Sequence, residues 1–242
     1  MSSTIEIVDT GEAFAQENMD WDERFMQLIT PQQAPLLRFY SWKKPSLSFG
    51  KLLKVHELVN MQALKELGFD FAIRPSGGGV VFHHLSFSFS FFLPSTHWLY
   101  ALPNLERYLM INAWTRQALD SLGFNKIEFG QEESLRRPDF CMARPTIYDL
   151  LVHGRKIGGS AQRKSKKALL HQGVIVLLAK DLVDISSVFC DRELYQKTKS
   201  ESSGLLEGIE NALAELGDWK RRLRSALTEA FSRAMNANTL SC

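Results

Sequence analysis

Residues 74–91 read RPSGGGVVFHHLSFSFSF, a triple-glycine turn that leads into an alternating run. From Leu85 to Phe91 an apolar side chain occupies every second position, and serines fill the positions between. Side chains of a β-strand point to opposite faces in turn, so this period of two predicts a strand. The glycines predict either a plain tight turn or a loop whose backbone N–H groups approach the oxygens of a carboxylate or phosphate.

Further strands are predicted on both sides of this run, over residues 36–40, 47–50, 71–74, 147–152, 156–161 and 169–178. Helices are predicted over residues 13–29, 58–67, 105–119, 205–213 and 219–231. The strands follow one another as hairpins interrupted by helices, without regular βαβ alternation. This order predicts an α/β (α+β) fold with a mixed, largely antiparallel sheet flanked by helices. We expect one domain over residues 1–242, helical from about 181 to 242.

Composition narrows the class of protein. The chain has 242 residues, 45% of them hydrophobic, and its 29 basic and 27 acidic residues give a net charge of +2. This near balance of basic and acidic residues does not suggest a nucleic-acid partner. The three cysteines, Cys141, Cys190 and Cys242, form no CxxC pair, which predicts neither a disulfide framework nor a metal site. With no signal pattern and no run of about 18 apolar residues, we expect a cytoplasmic protein that does not enter a membrane.

A second glycine motif follows at residues 154–164, GRKIGGSAQRK. If it forms a strand, Lys156 and Gly158 share one face and Ile157 takes the other. A lysine beside glycines can stabilise negative charge that develops on the carbonyl of an acyl-adenylate or a thioester. The alternative is a solvated basic hairpin, which fits residues 163–167 better than Lys156.

Taken together, the two motifs resemble the lipoate-protein ligase and octanoyltransferase family, over about residues 10–180. PSLSFG at 45–50, YDLLV at 148–152 and LHQG at 170–173 also match that family. The resemblance implies a catalytic domain of the biotin/lipoate ligase type, related to class II aminoacyl-tRNA synthetases, with a tunnel for a medium-length acyl chain. It implies a catalytic role for Lys156. It also implies a binding site formed by Arg74, Ser76, Gly77, Gly78, Gly79, His83, Asp149, Gly158, Ser160, Ala161, His171 and Gly173.

The resemblance implies an enzyme that attaches lipoate or octanoate to one lysine of a lipoyl carrier domain, such as a dehydrogenase E2 subunit or the glycine cleavage H protein. In the ligase version, ATP and Mg²⁺ activate the carboxylate as an acyl-adenylate, and the uninterrupted SGGGVVFH turn favours this version. In the transferase version, Cys141 is the nucleophile and takes the octanoyl group from acyl carrier protein as a thioester. We expect the ligase slightly ahead of the transferase.

Some positions depart from the family pattern. His84 stands where the family usually has Asp, and Lys51-Leu52-Leu53 replaces an Arg-aromatic-Gln run. These departures motivate a third hypothesis, an inactive homologue that binds the acyl group. A biotin ligase is less favoured, because its Gly-Arg-Gly loop is not in this sequence. The basic hairpin at 163–167 is expected to contact an acidic lipoyl domain or nucleotide phosphates.

Overall fold

The computed structural model describes residues 5–131, 145–179 and 185–237. The strands are β1 (Glu6–Ala13), β2 (Leu36–Trp42), β3 (Ser46–Phe49), β4 (Asp70–Ile73), β5 (Val81–His83), β6 (Ser86–Pro94), β7 (Ile127–Phe129), β8 (Leu150–Val152), β9 (Arg155–Lys164) and β10 (Ala168–Val176). The helices are α1 (Ala15–Leu28), α2 (Val55–Leu58), α3 (Met61–Glu66), α4 (Trp98–Ala101), α5 (Asn104–Ser121), α6 (Arg192–Glu201) and α7 (Leu216–Ala237), with a 3₁₀ turn at Ser186–Val188.

Seven strands form the large sheet, in the order β1-β2-β6-β10-β9-β8-β7. Only the β1–β2 pair among them is parallel, and the other pairs are antiparallel. The remaining strands form a small sheet in the order β4-β3-β5. Helices α5 and α7 pack together on one face of the large sheet, while α1 and the small sheet occupy the other. The predicted mixed, largely antiparallel sheet flanked by helices is confirmed.

Strand β6 lies at the centre of the large sheet and has the two faces that its sequence predicts. Phe87, Phe89 and Phe91 belong to the main hydrophobic core, which they share with α5 and α7. The serine face is also buried, since Ser88 and Ser90 are 1% and 0% exposed. Their hydroxyls therefore need polar partners inside the protein, and α1 and β2 supply them. This buried polar face is where the site develops.

The small sheet carries the triple-glycine turn, which joins β4 to β5. The turn lies against the end of β3, where Gly50 touches its backbone so closely that a Cβ on Gly50 would lie 1.9 Å from the carbonyl oxygen of Gly78. Gly78 itself has a φ of 90°, a conformation that favours glycine. The turn is thus held by backbone contact as well as by hydrogen bonds.

Several predicted elements differ in the structure. The helix expected over residues 205–213 is wrong: this segment is a series of turns, because Gly208 (φ 87°) and Asn211 (φ 57°) take left-handed conformations that interrupt a helix. The helix expected over 58–67 is divided into α2 and α3, and the strand expected over 147–152 begins only at Leu150. Among the described helices, none is both long and apolar enough to cross a bilayer.

Candidate functional site

Arg74 organises the triple-glycine turn from inside. Its guanidinium is 5% exposed and donates hydrogen bonds to the carbonyl oxygens of Gly77 and Gly79, at 3.0 and 2.8 Å. The same side chain donates to the backbone oxygen and the hydroxyl of Ser48 on β3, at 2.9 and 2.8 Å. Two turn carbonyls are therefore drawn toward the arginine. The shape of the turn depends on this one side chain.

Ser76, the first residue of the turn, is tied to the large sheet. Its hydroxyl donates to Oε1 of Gln172 on β10 at 2.5 Å, and Nε2 of Gln172 donates to the carboxylate of Asp22 on α1 at 2.7 Å. Asp22 is fully buried and pairs with Arg38 at 2.6 Å. Burial raises the pKa of Asp22, while Arg38 and the hydroxyl of Ser90 oppose the rise. One continuous polar network thus connects the turn to α1.

Lys156 is 1% exposed and forms an ion pair with Asp149, whose Oδ2 lies 2.7 Å from Nζ. The same Asp149 oxygen accepts the backbone N–H of Thr146 at 2.7 Å. The absence of a side chain at Gly159 makes room for the lysine, because a Cβ there would lie 3.2 Å from Cε of Lys156 and 3.4 Å from its Nζ. Burying a charge is costly unless an opposite charge lies beside it, and here the buried ammonium and carboxylate pair with each other.

The expected arrangement of this strand needs a correction. Lys156 was predicted to share a face with Gly158, yet its amine lies beside Gly159. The cause is a register shift between Leu150 and Leu151 of β8, which pair with Gly158 and Lys156 and leave Ile157 as an extra residue. Such a bulge re-aims the side chains that follow it. The amine consequently lies next to Gly159 and Asp149.

Arg74, Val81 and His83, which flank the glycine turn, and Gly159 to Ala161 of the second motif line one cavity, which we call the central cavity. It encloses about 30 Å³, room for about two water molecules. The lining residues are Met19, Tyr40, Trp42, Ser48, Arg74, Val81, His83, Gly159, Ser160, Ala161, Gln172, Gly173 and Val174. Of the predicted site residues, Arg74, His83, Ser160, Ala161 and Gly173 line this cavity. Ser76, the three glycines of the turn and Lys156 are not among its lining residues.

His83 forms part of the cavity wall as a neutral side chain. Burial, and then the charge of Arg74, lower its pKa well below the usual value. Its Nε2 lies 2.6 Å from Oγ of Ser48, and its ring stacks on Trp42 with centroids 3.9 Å apart. Arg74 donates to the same hydroxyl, so Ser48 joins the arginine to the histidine ring.

The other predicted site residues lie on both faces of the large sheet. Gly158 and Gly173 open onto a smaller void of about 10 Å³ on the α5 side, which Asp149 also lines. The hydroxyl of Ser160 accepts a hydrogen bond from Asn112 of α5 at 3.0 Å. His171 is on this side too, stacked against Phe89 and away from the central cavity. Burial lowers its pKa to about 3.

Sequence reasoning did not assign roles to Gln172, Met19 or Trp42, although all three line the central cavity. Gln172 is adjacent to two predicted residues of β10, and only the alternation of faces along the strand separates it from His171. Cys141 and residues 132–144 around it lie outside the described residues. In the described ranges, no group of three His, Cys, Asp or Glu side chains is arranged to hold a metal ion.

Comparison with known proteins agrees with this geometry. The family model of the lipoyl protein ligase A/B catalytic domain matches residues 15–231. The octanoyltransferase LipM of Carboxydothermus hydrogenoformans is 32% identical over 224 residues, which cover 89% of this chain and 82% of that protein. The chain belongs to the lipoyl protein ligase A/B catalytic domain family. It is an enzyme of lipoylation-related acyl transfer, either a ligase or an acyltransferase.

Two further comparisons cover almost the whole chain. The octanoyltransferase LipM of Staphylococcus aureus is 27% identical over 254 residues, covering 98% of this chain and 88% of that protein. Among solved structures, a bi-partite lipoate protein ligase from Thermoplasma acidophilum, studied with its E2 lipoyl domain, has a TM-score of 0.72 at 21% identity. That similarity covers 98% of this chain and 84% of the other. It shows that the family fold extends over the chain.

Proposed function

We propose that this enzyme moves an octanoyl group from a carrier-protein thioester to a lysine of a lipoyl domain, through a thioester on Cys141. The observation that carries the proposal is that the residues flanking the glycine turn and Gly159 to Ala161 of the Lys156 strand line one cavity, with the Lys156 amine beside Gly159. The two relatives reported above are octanoyltransferases, and the similarity covers 88% and 82% of their lengths. This support moves our preference from the ligase, which the turn sequence alone favours, to the transferase.

The chemistry divides into two balanced steps. The Cys141 thiolate attacks the thioester carbonyl, a C–S bond forms, and the carrier leaves as its thiol. The lysine amine of the lipoyl domain then attacks the acyl-enzyme, an amide forms, and Cys141 regains its thiol proton from that amine. Each attack places negative charge on the carbonyl oxygen, which the ammonium of Lys156, held beside Gly159 by Asp149, would stabilise. Lys156 and the turn are the proposed catalytic groups around that oxygen.

The acyl chain occupies the central cavity in this proposal. Six buried methylenes contribute about 5 kcal/mol to binding, which is ample to anchor a substrate. A space of about 30 Å³ is smaller than the chain, so side chains have to move when it enters. Met19 is the candidate, because a thioether side chain is unbranched and changes shape at low cost. The carboxyl end then faces Gly159 and Lys156.

The second candidate is the ATP-dependent ligase acting on lipoate or octanoate. The uninterrupted triple glycine favours it, since backbone N–H groups without neighbouring Cβ atoms can contact phosphates closely. The predicted Mg²⁺ would need carboxylate ligands, and the carboxylate nearest the turn by the contacts described, Asp22, already accepts three hydrogen bonds. The fit to Mg²⁺ is therefore poorer than the fit to a thioester.

Lipoyl domains, from E2 subunits or the glycine cleavage H protein, are the proposed acceptors, and acyl carrier protein is the proposed donor. The basic hairpin remains a proposed contact for these acidic partners. Lys164 and Lys166 are both exposed, and Lys164 also donates to the Tyr100 carbonyl oxygen at 2.9 Å. We also propose that residues 1–242 act as one catalytic domain.

Intact mass spectrometry of the enzyme tests the mechanism. After exposure to octanoyl carrier protein, the wild type should gain the mass of one octanoyl group, and Cys141→Ala should not. Cys190→Ala is the matched control, because Cys190 is an exposed free cysteine and its loss should leave the adduct unchanged. Full transfer to a lipoyl domain by Cys141→Ala would exclude the thioester route. An adenylate formed from lipoate and ATP would then favour the ligase.

A further inference from the structure

A second cavity lies on the opposite face of the small sheet, and we call it the side cavity. It encloses about 80 Å³. Alternation along β3 and β5 separates the two cavities, since Leu47 and Phe82 line the side cavity while Ser48 and Val81 line the central one. Its far edge is formed by Thr198 and Lys199 of α6 and by Ser202, which follows that helix. Most of its wall is apolar.

The two cavities lie on either side of Lys156. Ser202, at the edge of the side cavity, pairs with Lys156 in a parallel bridge, and the Ser203 N–H donates to the Lys156 carbonyl at 2.9 Å. The amine of the same lysine lies beside Gly159, which lines the central cavity. On β10, Val174 lines the central cavity and Val176 the side cavity, about 7 Å apart on one strand face. Lys156 thus borders both cavities through its neighbours, the central cavity through Gly159 and the side cavity through Ser202.

We propose that the side cavity binds the pantetheine arm of the acyl donor, with the thioester carbonyl at Lys156 and the acyl chain in the central cavity. The proposal rests on the proposed transferase function and names the part of the donor that the central cavity does not hold. The arm combines a gem-dimethyl group and two amides with a terminal phosphate. Its methyl groups suit the apolar wall, and its phosphate suits the exposed amine of Lys199. Its amides suit the Ser202 hydroxyl, which donates to the Thr198 carbonyl and can still accept an N–H.

The charge of the side cavity favours this arm over a nucleoside triphosphate. Among the described residues that line it, Lys199 is the single lysine or arginine. His84 lines it as well, but burial and then the charge of Lys220 lower the pKa of His84, so that its ring is neutral near pH 7. One cation matches one phosphodiester. A triphosphate is usually met by several cations or backbone donors.

The test compares two octanoyl donors in the first half-reaction, the acylation of Cys141 followed by intact mass. Octanoyl-phosphopantetheine carries the arm, and the octanoyl thioester of 2-mercaptoethanol lacks it. Thr198→Phe fills the side cavity from its half-exposed edge, and Thr198→Val keeps the size as a control. We expect Thr198→Phe to raise the half-saturating concentration of the first donor by about tenfold and to leave the second donor within about twofold.

The phosphate contact has its own variant. Lys199→Glu should weaken octanoyl-phosphopantetheine by about tenfold and leave octanoyl-pantetheine, which lacks the phosphate, nearly unchanged. Lys126→Glu reverses the charge of another exposed lysine, outside both cavities, and should affect neither donor.

Each contrary outcome has a distinct meaning. If Thr198→Phe leaves the half-saturating concentration of both donors at the wild-type value, the arm does not lie in the side cavity. If both donors weaken equally, the acyl chain itself occupies that cavity, and the proposal is overturned. If Thr198→Phe instead abolishes an octanoyl-adenylate that the wild type forms from ATP, the cavity is a nucleotide site. If wild-type Cys141 accepts octanoate from neither thioester, the transferase function fails and the arm site fails with it.

Discussion

The ion pair of Lys156 and Asp149 allows catalytic and structural roles to be separated by experiment. Both side chains are at most 2% exposed, and their charged atoms are 2.7 Å apart. Lys156→Met leaves an uncompensated buried carboxylate, which should lower the free energy of unfolding by about 3–5 kcal/mol. Natural domains have only about 5–15 kcal/mol in total, so loss of activity in this variant alone would be ambiguous. A second substitution removes the ambiguity.

The double variant Lys156→Met, Asp149→Asn removes both charges and keeps an oxygen for the Thr146 N–H. We expect it to recover most of the lost stability, measured by urea unfolding followed through tryptophan fluorescence. Octanoyl transfer, measured on the same preparations, should remain at least about 100-fold below wild type, because the positive charge near the carbonyl oxygen is still missing. Lys126→Met, an exposed lysine, controls for the loss of a surface amine.

The refuting result is simple to state. If the double variant regains transfer activity together with stability, then Lys156 only neutralises Asp149 and has no catalytic role. Asp149→Asn alone supplies the complementary check. It removes the negative charge of Asp149 but keeps the ammonium, so a catalytic lysine should retain part of its activity in that variant even though stability falls.

Three further predictions concern the cavity and the sheet. Gly50→Ala should destabilise the protein and abolish activity, because the new Cβ would lie 1.9 Å from the Gly78 oxygen. Gly77→Ala should keep the urea midpoint of the wild type, because its Cβ has no atom within 4 Å, and it should still lose activity. Met19→Ala should shift kcat/KM from octanoyl toward decanoyl donors by about tenfold, as a lengthened cavity accepts two more methylenes. Burial lowers the pKa of His171 from 6.5 to about 3, so between these pH values the unfolded chain binds a proton that the folded protein does not. The stability that the folded protein has above pH 6.5 from this neutral side chain is therefore lost as the pH falls. His171→Gln should flatten this loss between pH 6 and 5 by about 1.4 kcal/mol in urea titrations, and an unchanged slope would contradict the assignment.

The parts of the fold that sequence predicts well are those with a strong local signal. The alternation of Leu85 to Phe91 depends only on neighbouring residues, and β6 follows it closely. Strand β1 was missed because its burial pattern is mostly exposed and its single partner is the parallel β2. The false helix over 205–213 had apolar residues at helical spacing, but Gly208 and Asn211 take left-handed conformations. Apolar spacing alone does not reveal such breaks.

The candidate site was predictable to the extent that its residues occur in the two glycine motifs. What sequence could not supply are the long-range partners. Ser76 and Gln172 are 96 positions apart and meet through a hydrogen bond, and Asp22 is 150 positions from Gln172. The bulge at Ile157, which turns Lys156 toward Gly159, depends on pairing with β8. These features arise from tertiary contacts, and no local pattern encodes them.

The same long-range contacts explain how α1 positions the glycine turn, besides lining the central cavity through Met19. Arg38 lies between the rings of Trp21 and Tyr40, at 4.4 and 4.3 Å from their centroids, and holds Asp22 by a fully buried ion pair. With its carboxylate fixed, Asp22 fixes Gln172 and through it Ser76, so the glycine turn takes its position from the core. Since Gln172 also lines the central cavity, an acyl chain that displaces it must loosen the turn. In the proposed function, occupancy of the central cavity and the position of the glycine turn are therefore coupled through this one amide.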